Sequence, residues 1–252
     1  MTITAPAGAA RRTTAPPADP TRNHARAAGI FYLLTFASSI PALILLGPVL
    51  HDADYVTSAG QDTRVLWGCF LDGVNALTAV GSAVALYPVV KRQNGSMALG
   101  FVTSRMTEAA VIMIGVVSLL AVVTMQQDFA ASPGGDAASL TVTANALVDV
   151  RNWTFLLGPG LMPAINAVLL GTLLYRSRLV PRIIPTVGLI GAPLLFAAFL
   201  AIFFGVVDQV SPVSGILTLP VAAWELTIGL WMTFKGFYPS PITAPSSSAD
   251  PA

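Results

Sequence analysis

Apolar residues in this chain fall into six long blocks separated by short polar stretches. Each block is about 20 residues or longer, the length a helix needs to cross roughly 30 Å of hydrocarbon at about 1.5 Å per residue. The pattern predicts spans over about 27–50, 65–90, 98–125, 153–175, 183–207 and 215–234. The first follows positive charge, as a signal peptide would, but its apolar run is too long for a cleaved segment and predicts a retained helix bent by Pro41 and Pro48. Asn94-Gly95, between spans two and three, suits a tight turn with positive φ. The longest connection, 126–151, holds Ser-Pro-Gly-Gly-Asp at 132–136 and then a weakly amphipathic stretch, read as a short interfacial helix. Span four carries Gly158, Pro159, Gly160 and Pro163, which predict a kinked or locally unwound helix. Irregular backbone persists at membrane depth only where protein or a wet cavity covers it. Residues 1–26 and 235–252 are rich in Pro with Ala, Thr or Ser, lack periodicity and read as disordered tails.

Composition turns this pattern into a fold class. The chain has 252 residues, 54% hydrophobic and only 10% charged, against roughly 25% charged in an ordinary soluble domain. A soluble globule is excluded, and the expected fold is an all-α, polytopic transmembrane bundle of six helices. A net charge of +1 gives no reason to expect nucleic acid, so the partner implied is the lipid bilayer. The placement of charge says more than its sum. An even number of spans puts both termini on one side, together with Arg11, Arg12, Arg22, Arg26, Lys91, Arg92, Arg176, Arg178, Arg182 and Lys235. The opposite loops hold only Arg64 and Arg151. This bias predicts cytoplasmic termini and a multi-pass protein of the cell membrane. The lone Cys69 lies in an apolar run and reads as a packed residue.

Four charged residues fall inside the spans: Asp72, Arg105, Glu108 and Glu225. A charge at the centre of a membrane helix costs about 2.5–3.5 kcal/mol even on lenient scales, so such groups face inward and find partners. Arg105 and Glu108 share a helical face. Polar and small residues recur at helical spacing around Asp72 and Asn75 in span two and around Glu225 in span six. These stripes predict a polar seam where spans two, three and six meet, with Asn166 of span four facing it. Three acids and one cation leave about minus two charges if all ionise, which predicts that at least one carboxyl keeps its proton.

Two readings of the seam stand side by side. One is structural, a buried ion pair and hydrogen bonds that fix helix register. The other is a proton- or ion-coupled pathway for a small-molecule or ion substrate, with the broken span four beside it. An intramembrane enzyme would need a pair such as Asp72 with Glu225, and no catalytic motif supports one. Nothing calls for a cofactor. His51, Asp52, Asp54 and Asp62 read as a solvated acidic loop, with an external divalent cation as the alternative. Trp67, Trp153 and Trp231 read as interfacial anchors, while the deeper Trp224 is a candidate for cavity lining.

Three stretches carry a family resemblance: AGIFYLLTFASSIPAL (28–43), ALYPVVKRQNGSMALGFVTSRMTEAAVIMIGVVSLLAV (85–122) and GLMPAINAVLLGTLLYRSRLVPRIIPTVGLIGAPLL (160–195). The chain from about Ala25 to Phe234 resembles the bacterial integral membrane proteins of the domain of unknown function 4386 family. The resemblance implies a membrane fold and location and transfers no activity.

Overall fold

A computed structural model describes residues 21–58, 60, 62–132 and 136–243; residues 1–20, the greater part of the expected N-terminal tail, and 244–252 lie outside it. Among the described residues the fold is entirely helical: α1 (Arg22–Leu45), α2 (Gly47–His51), a 3-10 turn (Tyr55–Thr57), α3 (Asp62–Val90), α4 (Gly95–Ala131), α5 (Ala137–Leu157), α6 (Met162–Ser177), α7 (Ile183–Phe203) and α8 (Pro212–Phe234). Six spans are long and apolar enough to cross a membrane, with α5 and α6 forming one broken span. The protein is a multi-pass membrane protein.

Chain breaks fall where the backbone chemistry puts them. The first span ends at Leu46, and Pro48 opens the short α2, where its missing N–H costs nothing. Asn94 does not adopt positive φ; its backbone is extended and its side chain accepts from the Met97 amide at 3.0 Å, capping α4. Ser211 and Ser214 form a capping box at the start of α8. Between α5 and α6, Gly158 to Leu161 leave the helix for one turn before Pro163 restarts it.

Two features depart from expectation. Where the sequence pattern suggested an interfacial piece and a loop, α5 is one continuous helix from Ala137, and α4 runs on to Ala131. The two form a hairpin beside the start of α3, tied down by Gln126 Nε2 donating to Ser58 O at 2.8 Å and Gln127 Nε2 donating to Asp62 at 2.9 Å. Residues 235–243, expected within a disordered tail, cross the opposite end. Tyr238 N donates to Leu179 O, Ser240 Oγ to Ser177 O, and Arg92 Nη1 to Ile242 O. Gly236 also lies against Arg22, so the described residues nearest the two termini lie on one face, the terminal face; the other is the distal face.

The buried interior divides into two apolar clusters. One, toward the terminal face, is built on Tyr32, Leu86, Phe101, Leu170, Leu174, Trp224 and Ile228. The other, toward the distal face, is built on Leu46, Val65, Ile112, Leu119 and Val122. On α4 the first ends at Phe101 and the second begins at Ala109, and the interval between them holds Arg105 and Glu108. Helix α1 packs between α3 and α8. Its approach to α8 depends on Gly29 and Gly229, since a Cβ at Gly29 would sit 2.5 Å from Thr233 N and 2.7 Å from Gly229 O.

Candidate functional site

The charged residues form two separate groups. In the first, Arg105 bridges two glutamates: Nη1 donates to Glu108 Oε2 at 3.1 Å and Nη2 to Glu225 Oε1 at 2.7 Å. Asn166 Nδ2 donates to the same Glu108 oxygen at 2.8 Å. The guanidinium lies over the Tyr32 ring, 4.9 Å from its centroid, with Phe101 at 5.9 Å. Arg105 is 2% exposed, Glu108 6% and Asn166 fully buried. Counting along the helices places Arg105 about 15 Å from the start of α4 and Glu225 about 14 Å from the end of α8, so their levels match.

In the second group Asp72 and Arg151 pair, with Arg151 Nη2 donating to Asp72 Oδ2 at 2.9 Å and the guanidinium 4.7 Å from the Phe155 ring centroid. Both residues are buried. This corrects the single seam expected from the stripes. Spans three and six do meet through Arg105, and Asn166 joins them, but Asp72 is held by a different arginine on α5. An acid pair of Asp72 with Glu225 is therefore not assembled.

Arg151 is the residue that sequence reasoning placed outside, in the connection 126–151. The extension of α5 carries it inward, and a gap on α4 receives it. A Cβ at Gly115 would meet Thr154 Oγ1 at 2.6 Å and Arg151 Cδ at 2.7 Å, so only glycine leaves the arginine its path. The spacing of Leu140, Ala144, Leu147, Val148 and Arg151 along one face is the signal that could have found it. With Arg151 counted, three acids face two arginines, and the formal charge with all groups ionised is minus one, not minus two.

The first group borders open space. A cavity of about 140 Å³ is lined by Arg105, Glu108, Glu225, Asn75, Thr218 and both prolines of the span-four break, Pro159 and Pro163. Thr35 and Ser39 of α1 line its other side. Next to it lies a mostly apolar chamber of about 290 Å³ between α5, α7 and α8, which shares Pro159, Leu195, Thr218 and Ala222 with the cavity. The chamber reaches Gln209 and Ser214 at the distal end of α8. The two abut along these residues, and the crevice they make extends from the arginine and its two glutamates to Gln209 and Ser214. Below them the terminal-face cluster closes the bundle.

Among sequence-predicted residues, Asn75 lines the cavity while Trp224 does not: it is fully buried against Gly188 in the terminal-face cluster. Trp67 and Trp153 are exposed on the surface, as anchors would be, whereas Trp231 packs edge-on against Tyr238 with its Nε1 buried. Among the described residues no three of His, Cys, Asp and Glu come together, and Asp62 instead accepts from Gln127.

The sequence pattern of one family matches residues 27–236, nearly all of the described chain. The chain belongs to the domain of unknown function 4386 (DUF4386) family. No curated protein and no solved structure matches it. The buried arginines and glutamates of this DUF4386 member all fall within the matched region, as do both prolines of the helix break.

Proposed function

We propose that the protein is a small proton- or cation-coupled transporter whose coupling site is Arg105 with Glu108 and Glu225. The observation that carries this reading is the crevice ending at mid-bundle on one arginine shared by two glutamates, formally minus one, beside an interrupted helix. A bare negative charge in low dielectric is costly, so a proton or a cation entering from the distal side would neutralise it. A broken helix beside such a site is the arrangement in which irregular backbone is tolerated because it lines a cavity. A closed terminal-face core below the site and a chamber on its distal side would correspond to one side of an alternating-access cycle.

The terminal face faces the cytoplasm in this reading. It carries Arg22, Arg26, Lys91 and Arg92, the α6–α7 loop arginines and Lys235, against Arg64 at the distal end. Lys91 and Arg182 there lie over the rings of Tyr87 and Tyr175. The Asp72–Arg151 pair lies off the cavity and serves a structural role, holding α5 against α3 and fixing their register.

The test is proton flux into liposomes holding purified protein and a pH-sensitive dye. Wild type should dissipate an imposed pH gradient; Glu225→Gln should lose at least tenfold in rate while keeping its helical circular dichroism and a monodisperse elution profile. Flux from wild type equal to that of empty liposomes across a panel of small cations would sink the reading.

A further inference from the structure

Glu108 and Glu225 each keep one oxygen disengaged. Oε2 of Glu108 and Oε1 of Glu225 take all the bonds from Arg105 and Asn166. Among the described residues Glu108 Oε1 and Glu225 Oε2 accept none, and neither is shut away from the cavity that both side chains line. Asn166, fully buried behind Glu108, has a third unengaged acceptor in Oδ1, enclosed by protein. No positive group is left over for an anion: both Nη atoms of Arg105 face glutamates, and Nε is enclosed by protein. The cavity offers acceptors and negative charge, the complement of an ammonium head with its N–H donors.

The space above selects the rest of the ligand. The chamber adjoining the cavity is walled by Phe155, Leu156, Leu195, Ala198, Phe199 and Ile202, suited to an alkyl or aryl group and not to a hydrated metal ion. We propose that the crevice binds a hydrophobic amine, with its ammonium between Glu108 and Glu225 and its apolar body in the chamber between α5, α7 and α8. This names the solute class of the proposed transport site; it rests on that reading for the route across the membrane but not for binding.

Binding is tested by calorimetry on the full chain in detergent, with 2-phenylethylamine as probe and 2-phenylethanol and 3-phenylpropionate as neutral and anionic counterparts of similar shape. The amine should bind once per chain and each counterpart at least tenfold more weakly. Glu225→Gln should weaken the amine at least tenfold. Gly215→Leu provides a second variant: Gly215 lines the chamber, a Cβ there meets nothing within 4 Å, and the substitution suits a helix, so it adds bulk at the chamber wall without a clash. It should weaken the amine by a similar factor. Equal affinity for amine and alcohol, or unchanged affinity in Gly215→Leu, overturns the proposal. Proton flux without amine binding overturns it and leaves the transport reading standing; amine binding without flux keeps it and removes the transport reading.

Discussion

Breaking the Asp72–Arg151 pair from either side should cost far more than removing it whole. The two side chains are only 8% and 6% exposed and meet at 2.9 Å. Deleting one partner leaves the other's charge in low dielectric, which costs about 3–5 kcal/mol, whereas replacing both by apolar groups is often neutral. Asp72→Leu should lie at the upper end of that range, because a stranded guanidinium cannot shed its proton. Arg151→Leu strands a carboxylate, which can relieve itself by taking one up, but it also forfeits the contact with Phe155, worth about 0.5–2 kcal/mol. The double Leu variant should lose only about 1–2 kcal/mol, from space the arginine filled. The coupling energy is then at least about 4 kcal/mol, above the roughly 1.7 kcal/mol that ordinary interhelical hydrogen bonds reach in membranes. Unfolding by SDS in mixed micelles, followed by circular dichroism, gives all four corners of the cycle. If the single losses added within about 0.5 kcal/mol in the double variant, the pair would be energetically idle and its assigned role wrong.

Other expectations concern packing and pH. Gly29→Ala should destabilise the α1–α8 contact by about 1–3 kcal/mol, because the methyl meets Thr233 and Gly229 backbone; Gly73→Ala, whose Cβ meets nothing within 4 Å, should be neutral or add up to about 1 kcal/mol in the same unfolding assay. Burial, with Asp62 adding repulsion, pushes the Tyr55 hydroxyl up to about 12. A group that holds its proton more tightly when folded loses stability as pH rises, so melting should fall between about pH 10 and 12 in wild type and less in Tyr55→Phe. Asp136 caps α5; the Ser139 side chain and the amides of Ser139 and Ala138 hold its carboxyl below the usual range. That contribution is present above the ordinary carboxylate pKa and lost as pH falls through the depressed one, so amide exchange in the first turn of α5 should quicken in acid and in Asp136→Ala at neutral pH.

How much of this was legible depends on the range of the physics involved. Block length and apolarity set the spans locally, so six crossings and the span-four break at Gly158–Gly160 could be read directly. The partner of Glu225 could be read too, because a charge buried in a bundle must find another and Arg105 was the only cation within the predicted spans. Arg151 could not, since its burial depends on α5 being longer than its weak periodicity suggests and on the clearance at Gly115, a contact between helices distant in sequence. The tail from 235 to 243 escaped for the same reason: it has no pattern of its own and is ordered by the Ser177 and Leu179 carbonyls at the α6–α7 connection and by the Arg92 guanidinium of the α3–α4 connection. The consequence reaches the chemistry. One cation among three acids would have made the whole seam a single strongly negative site, with any carboxylate in it a candidate for a proton. Two arginines divide it: the α3–α5 group is formally neutral and closed, and the one acid left over in the formal count belongs to the pair Glu108 and Glu225, which border the crevice.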